Sequence, residues 1–302
     1  MNKVWQEMLL HVMQKGRESA PRNMKIVESL NHTIQINMKK PILTIRNRKM
    51  GYRFMIAEAI WILQGDNKVD TIKSYSKEIS RFSDDGITFF GAYGPKFVDQ
   101  SAYICSCLLN DDVSRQAVLN IWRENPMPTK DVPCTLNIQF FIRENTMNTV
   151  VNMRSSDCWL GVPYDVFNFT MMTASIMLRL RSLGMRDLQI GTLYINAGSR
   201  HIYERNWEDA VKCIDNNSVD FQYDDFDPYN FDNETQLIKY LINLRDDDYS
   251  ATKWIAQQLR NYWRMSKLNE GTSFSTTGQK IHAKAIKKEM KKINDEFSIK
   301  TN

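Results

Sequence analysis

The sequence predicts an α/β fold, and three observations predict it. Residues 24–45, which include IVESLNHTIQI and PILTI, alternate polar and apolar side chains, the period-two signature of strands. Two further runs, LNIQFFI (136–142) and TVVNMRSSD (149–157), are joined by a short link and read as an antiparallel pair. Stretches with apolar spacing near 3.6 residues interrupt the strands, above all 53–64 and 165–184.

Taken in order, residues 3–15 place Val4, Met8, Leu9 and Met13 on one side of a helix, and 19–23 form a loop. Arg46–Arg53 is a basic connection, expected at the solvated surface. The helix over 53–64 buries Phe54, Ile56, Ile60, Trp61 and Leu63, and Gly65 stops it. Glu58 lies among those apolar residues, where a carboxylate is costly unless it is partnered. A second helix is expected at 71–82, then a turn at Ser83–Gly86. Asp111–Gln116 lead into the apolar strand AVLNIW, and 125–132 form a loop that delivers Cys134. The Met- and Phe-rich face of 165–184 reads as core, with Gly184 at its end. LQIGTLYINAG is a strand, followed by Ser199–Tyr203. On an extended segment His201 and Tyr203, two apart, face the same way.

Past 215 the composition changes. Residues 220–234 are acidic and aromatic; 235–265 read as two helices broken near Asp246–Asp248; Gly271–Gly278 is a connector. A basic helical tail at 279–295 is expected to be a solvated face. The division is thus a catalytic core over 1–215 and a C-terminal extension over 216–302, packed on the core at least in part.

The chain has 302 residues, 42% hydrophobic and 25% charged, with a formal charge of +5. Such a mild positive balance fits an anionic small ligand and does not argue for nucleic acid. Five cysteines without a CxxC pair and four histidines indicate neither a zinc site nor a disulfide framework, so no metal and a reducing, cytoplasmic setting are expected. The N-terminal run reads as an amphipathic helix rather than a signal peptide, and no run is long enough to span a bilayer.

The chemistry gathers at the ends of the strand pair. Cys134 stands at the start, and Arg154, Ser155, Asp157 and Asp165 at the end. A hairpin brings those ends to one place, and a thiol beside a guanidinium suits a nucleophile with a lowered pKa.

Pro133-Cys134, Met153-Arg154-Ser155-Ser156-Asp157 and Leu160-Gly161-Val162-Pro163-Tyr164-Asp165 resemble the core of the thymidylate synthase family. That pattern runs Pro-Cys, Gln-Arg-Ser-x-Asp, Leu-Gly-x-Pro-Phe-Asn. Glu58–Asp66, Ala92-Tyr93-Gly94, Ser114-Arg115 and His201-Ile-Tyr203 agree in order and spacing, and the resemblance covers residues 21 to 214.

The resemblance implies a large mixed β-sheet packed with helices and a sheet-mediated homodimer. It implies a pyrimidine nucleoside monophosphate as substrate and 5,10-methylenetetrahydrofolate as co-substrate. Cys134 would attack C6 of the base, with Glu58 and Tyr93 moving protons through bound water. Arg22, Arg154 and Ser155 would hold the phosphate, joined by Arg115 of the second subunit. His201 and Tyr203 would bind the sugar hydroxyl, and Asp157 the pterin.

Four departures matter. Asp165 replaces the Asn that faces the pyrimidine edge; a carboxylate accepts from the cytosine amine, and with a proton it also serves N3, so cytosine is expected. Ile79 and Phe82 replace tryptophans, which loosens the folate and admits water, favouring a hydroxymethyl product. Gln116 replaces a second arginine, and Ser199 stands where many members carry Asp. The chain thus resembles the cytidylate (dCMP or CMP) hydroxymethylase branch. An enzyme that methylates C5 of dCMP or dUMP is the alternative within the class. A non-catalytic nucleotide- or RNA-binding relative is the alternative outside it. Retention of Cys134, Glu58 and Arg154 argues against that last reading, since binding alone needs no thiol.

Overall fold

The computed structural model describes residues 1–215 and 225–246. The second helix expected within 235–265, the 271–278 connector and the basic tail lie outside the described residues.

Helix α1 (Asn2–Lys15) leads to the short strand β1 (Arg17–Ser19) and the long strand β2 (Ile26–Asn37). Helix α2 (Tyr52–Leu63), one turn of helix α3 (Val69–Ile72) and helix α4 (Tyr93–Asn110) follow. Strands β3 (Val118–Asn120), β4 (Thr135–Arg143) and β5 (Thr146–Asp157) precede the 21-residue helix α5 (Val162–Ser182). Strand β6 (Gln189–Tyr203) and helices α6 (Trp207–Asp215) and α7 (Glu234–Asp246) complete the described chain.

The six strands form one mixed sheet in the order β1-β2-β6-β5-β4-β3. Only β5 and β6 run parallel, because α5 carries the chain back between them. The β4–β5 hairpin turns at Glu144 and Asn145, both at positive φ (49° and 55°), the geometry a two-residue turn demands. Helix α5 is buried on nearly every side, from Val166 through Leu180, as an apolar helix packed from all directions must be. It packs against α2, α4, α7 and the sheet. A row of polar side chains crosses four strands: Thr33 donates to Asn196 (2.8 Å), Asn196 to Asn152 (3.0 Å) and Asn152 to Asn137 (2.8 Å).

Three expectations need correction, and one helix had none. Residues 41–45 are coil: Pro41 lacks an amide N–H, and Ile42, Leu43, Thr44 and Ile45 are all buried, so no alternating face exists. The expected helix at 71–82 breaks after Ile72 and resumes as a 3₁₀ turn at Lys77–Phe82, across Ser74 and Ser76, whose hydroxyls favour turns over helix interiors. Helix α4 was not foreseen, because its Gly94-Pro95 start reads as a loop although proline fits a first turn. In the connection at 46–53, Arg48 is not solvated: it is 7% exposed, donates to the Trp159 carbonyl from Nε (3.0 Å) and Nη2 (2.7 Å), and stacks 4.7 Å over the Trp159 ring.

Candidate active site

A cleft of about 1070 Å³ opens where α2, the start of α4, the loop before β4 and the ends of β5 and β6 meet. Cys134 enters it at the foot of β4. The backbone around Cys134 is pinned from several sides. Arg154 donates from Nε to the Pro133 carbonyl (2.9 Å) and from Nη2 to the Val132 carbonyl (3.0 Å), and Nη2 lies 3.9 Å from the Cys134 thiol. The preceding loop is tied down by Asp131, which accepts from the Gly91 amide (2.7 Å). A Cβ at Gly91 would lie 2.3 Å from the Asp131 carbonyl oxygen, so only glycine allows this approach. Asp84 in turn accepts from Thr129 and from the Lys130 amide.

The thiol is not the depressed one expected. Burial pushes Cys134 above its ordinary pKa; Arg154 pulls it down, but Asp165 and Asp131 push it up again. The sequence places the cation beside the sulfur; it does not show the desolvation or the carboxylates that outweigh it.

Glu58 projects from α2 into the cleft and accepts from Asn168 Nδ2 of α5 (2.7 Å). Burial lifts its carboxyl from 4.5 to about 7, the Asn168 bond opposing and Asp165 adding to the rise. Asp165, in the first turn of α5, is lifted by burial to about 6, with the Arg200 guanidinium pulling the other way. The Tyr93 hydroxyl accepts from the Thr135 amide (3.2 Å), and burial, with Cys134 and Asp165 next, holds it above the usual phenol range.

Arg22 lines the cleft from a backbone at φ 54°, a left-handed conformation costly for a side chain of this size and typical of functional loops. Ser155, Arg154, His201 and Tyr203 line it from the sheet. The His201 and Tyr203 rings meet edge-on at 5.2 Å, and burial lowers the His201 pKa, the Asp157 carboxylate opposing. Two expected residues stand apart. Asp157 is not part of the lining, its Oδ1 accepting from the amides of Trp159 (2.8 Å) and Leu160 (3.0 Å). Arg115 is exposed outside this cleft, its carbonyl accepting from Gln139 (2.7 Å).

Residues that sequence reasoning missed also line the cleft: Glu28, Asp131 and Asn168. Asn168 had a visible signal, an amide inside an otherwise apolar helix face. Trp61 Nε1 and Asn168 Oδ1 are buried without a hydrogen-bond partner among the described residues, which marks them as anchors for water or ligand. No group of three or more metal-ligating side chains occurs among the described residues.

A mixed sheet, a buried central helix and a cleft pairing a cysteine with an arginine and two half-buried carboxyl groups define an α/β core organised around one site. A family model described as thymidylate synthase matches residues 3–236. The chain belongs to the thymidylate synthase family. It is also 28% identical over 224 residues to the deoxyuridylate hydroxymethyltransferase of Bacillus phage SP01, an overlap of 66% of this chain and 56% of that protein. The chain thus spans about half the length of this relative.

Proposed function

We propose that this protein is a pyrimidine nucleoside monophosphate C5 hydroxymethyltransferase that takes cytidylate, with 5,10-methylenetetrahydrofolate as co-substrate. The observation that carries it is the convergence of Cys134, Glu58 and Asp165 on one cleft large enough for two ligands. As the Cys134 sulfur bonds to C6, the C5=C6 π bond breaks, its electrons form the enamine that makes C5 a nucleophile, and the thiol proton passes to Glu58. Its thiol need not ionise in the empty cleft. A proton on Asp165 removes one of the negative charges that hold the thiol up. That proton also allows a two-point contact, accepting from the cytosine amine and donating to N3.

Glu58, near 7, both takes and returns a proton at neutral pH, the condition for general acid–base work. Asn168 fixes its Oε2, and Tyr93, held protonated, serves as a donor. The phosphate lies against Arg22, Arg154 and Ser155, by charge-assisted bonds. The aromatic and aliphatic wall of Trp61, Ile79, Phe82 and Trp122 fits the pterin and aryl rings of the folate, which supplies the one-carbon unit. Asp157 is not among the residues that line this cleft, so the pterin contact expected of it is not part of this reading. Phe82, 40% exposed, leaves that wall open to water, which favours hydroxymethyl over methyl.

The working form is a homodimer in which Arg115 of one subunit reaches the phosphate held by the other; its exposure outside its own cleft supports this. Five free thiols fit a reducing compartment, the cytoplasm, and no described helix is long and apolar enough to cross a membrane. A second reading, uridylate as substrate, is favoured by the phage relative and by a protonated Asp165, which presents a donor and an acceptor much as Asn does. Incubation with each pyrimidine monophosphate and the folate, followed by weighing the products, tests both. Addition of CH₂O supports hydroxymethylation, addition of CH₂ methylation, and no product on any base sinks the reading.

A further inference from the structure

One carboxylate in the cleft has no part in the chemistry above. Glu28 of β2 stands directly opposite His201 of β6 in the antiparallel register, so the two side chains meet at the same end of the sheet. Ser199, two residues before His201, donates its hydroxyl to Glu28 Oε2. Glu28, Ser199, His201 and Tyr203 all line the cleft. The usual aspartate of this position is thus absent from β6, and the negative charge sits across the ladder on β2.

A carboxylate only accepts hydrogen bonds. It repels a phosphomonoester, and the base is already matched by Asp165 at the Cys134 end. The sugar is the part of a nucleotide that offers neutral donors, and a ribose offers two side by side. With His201 and Tyr203 engaging one hydroxyl, the second faces a carboxylate whose rotamer Ser199 has already fixed. Carboxylates read ribose hydroxyls in this way at dinucleotide sites.

We propose that Glu28, held by Ser199, accepts a hydrogen bond from the substrate's 2′-hydroxyl, so that the enzyme takes ribonucleoside rather than 2′-deoxyribonucleoside monophosphates. The inference rests on the nucleotide reading above but not on the choice of base. A charge-assisted bond of this kind changes affinity by about 10- to 100-fold.

The test is equilibrium binding of CMP, UMP, dCMP, dUMP and 2′-fluoro-dCMP to the full chain. Each ribonucleotide should bind about 10- to 100-fold tighter than its deoxy counterpart. The fluoro analogue, which keeps the bulk but has no donor, should bind as weakly as dCMP. Glu28→Ala should bring the ribose and deoxyribose forms within about twofold by weakening the ribose form alone, with KM rather than kcat carrying the change. If that variant does not fold, the fluoro analogue on wild type decides the matter. Equal or tighter binding of the deoxynucleotides overturns this inference and leaves the nucleotide reading standing. Failure of all five to bind overturns both.

Discussion

Replacing Asp165 with asparagine should move the base preference from cytosine toward uracil. Cytosine needs a proton between its N3 and the side chain, whereas uracil already carries one. Burial lifts the Asp165 carboxyl from 3.8 to about 6. Protonating such a group at pH 7 costs on the order of 1 kcal/mol, against roughly 4 kcal/mol for an ordinary aspartate. A two-point contact to a base edge is worth about 1–3 kcal/mol, so it offsets the first cost and not the second. Asparagine at this position matches uracil's O4 and N3–H with its own donor and acceptor and takes up no proton to do so. The ratio of kcat/KM for cytidylate over uridylate should therefore fall by about 10- to 100-fold. The pH dependence has a definite sign: the protonated carboxyl is present below its raised value and lost as pH rises through about 6. Cytidylate kcat/KM on wild type should decline through that window, and Asp165→Asn should lose this limb. The assay is kcat/KM for CMP, dCMP, UMP and dUMP across pH on both proteins. A wild type that prefers uridylate, or a ratio unmoved by the substitution, refutes the reasoning.

Cys134→Ala should abolish product formation while leaving nucleotide affinity within a few-fold, measured by calorimetry; near-normal turnover would remove the covalent step. Glu58→Gln should lower kcat by about 10²- to 10⁴-fold with little change in KM. The same substitution has a stability signature. A carboxyl raised from 4.5 to about 7 favours the folded state below 4.5, and that contribution is lost as pH rises through 7. The variant's Tm should therefore exceed wild type's at mildly alkaline pH, by at most about 3 kcal/mol of stability, and converge with it in acid. Mixing inactive Cys134→Ala with Arg115→Ala chains should restore part of the activity through hybrid dimers. A monomer by light scattering at assay concentration counts against the shared site.

Much of the architecture was legible where period and chemistry agree. The 149–157 run and the Met- and Phe-rich helix announce β5 and α5, since a two-residue period and a broad apolar face each admit one structure. Helix α4 was not legible, because serines and cysteines interrupt its apolar face and glycines crowd its start. Glu58 could be found because a carboxylate is costly on an apolar helix, and Cys134, Arg154 and Asp165 because they lie at the ends of the strand pair in motifs that resemble those of the family. Asn168 and Glu28 escaped because their partners, Glu58 and Ser199, lie 110 and 171 residues away and meet only through packing and strand register. The wrong expectation about Cys134 has the same origin. A neighbouring cation can be read from spacing, but desolvation belongs to the assembled fold.

The polar row from Thr33 through Asn196 and Asn152 to Asn137 acts on the chemistry at a distance. Each rung joins residues that are also paired in the backbone register, so sliding any one strand by two positions breaks its rungs while leaving hydrophobic alternation intact. Apolar packing alone would tolerate that error. The same four strands carry Glu28, the start of Cys134's strand, Arg154 with Ser155, and His201 with Tyr203. The row therefore works as an alignment key: it holds one setting of the strands, and that setting brings Glu28, Cys134, Arg154, Ser155, His201 and Tyr203 to the same cleft.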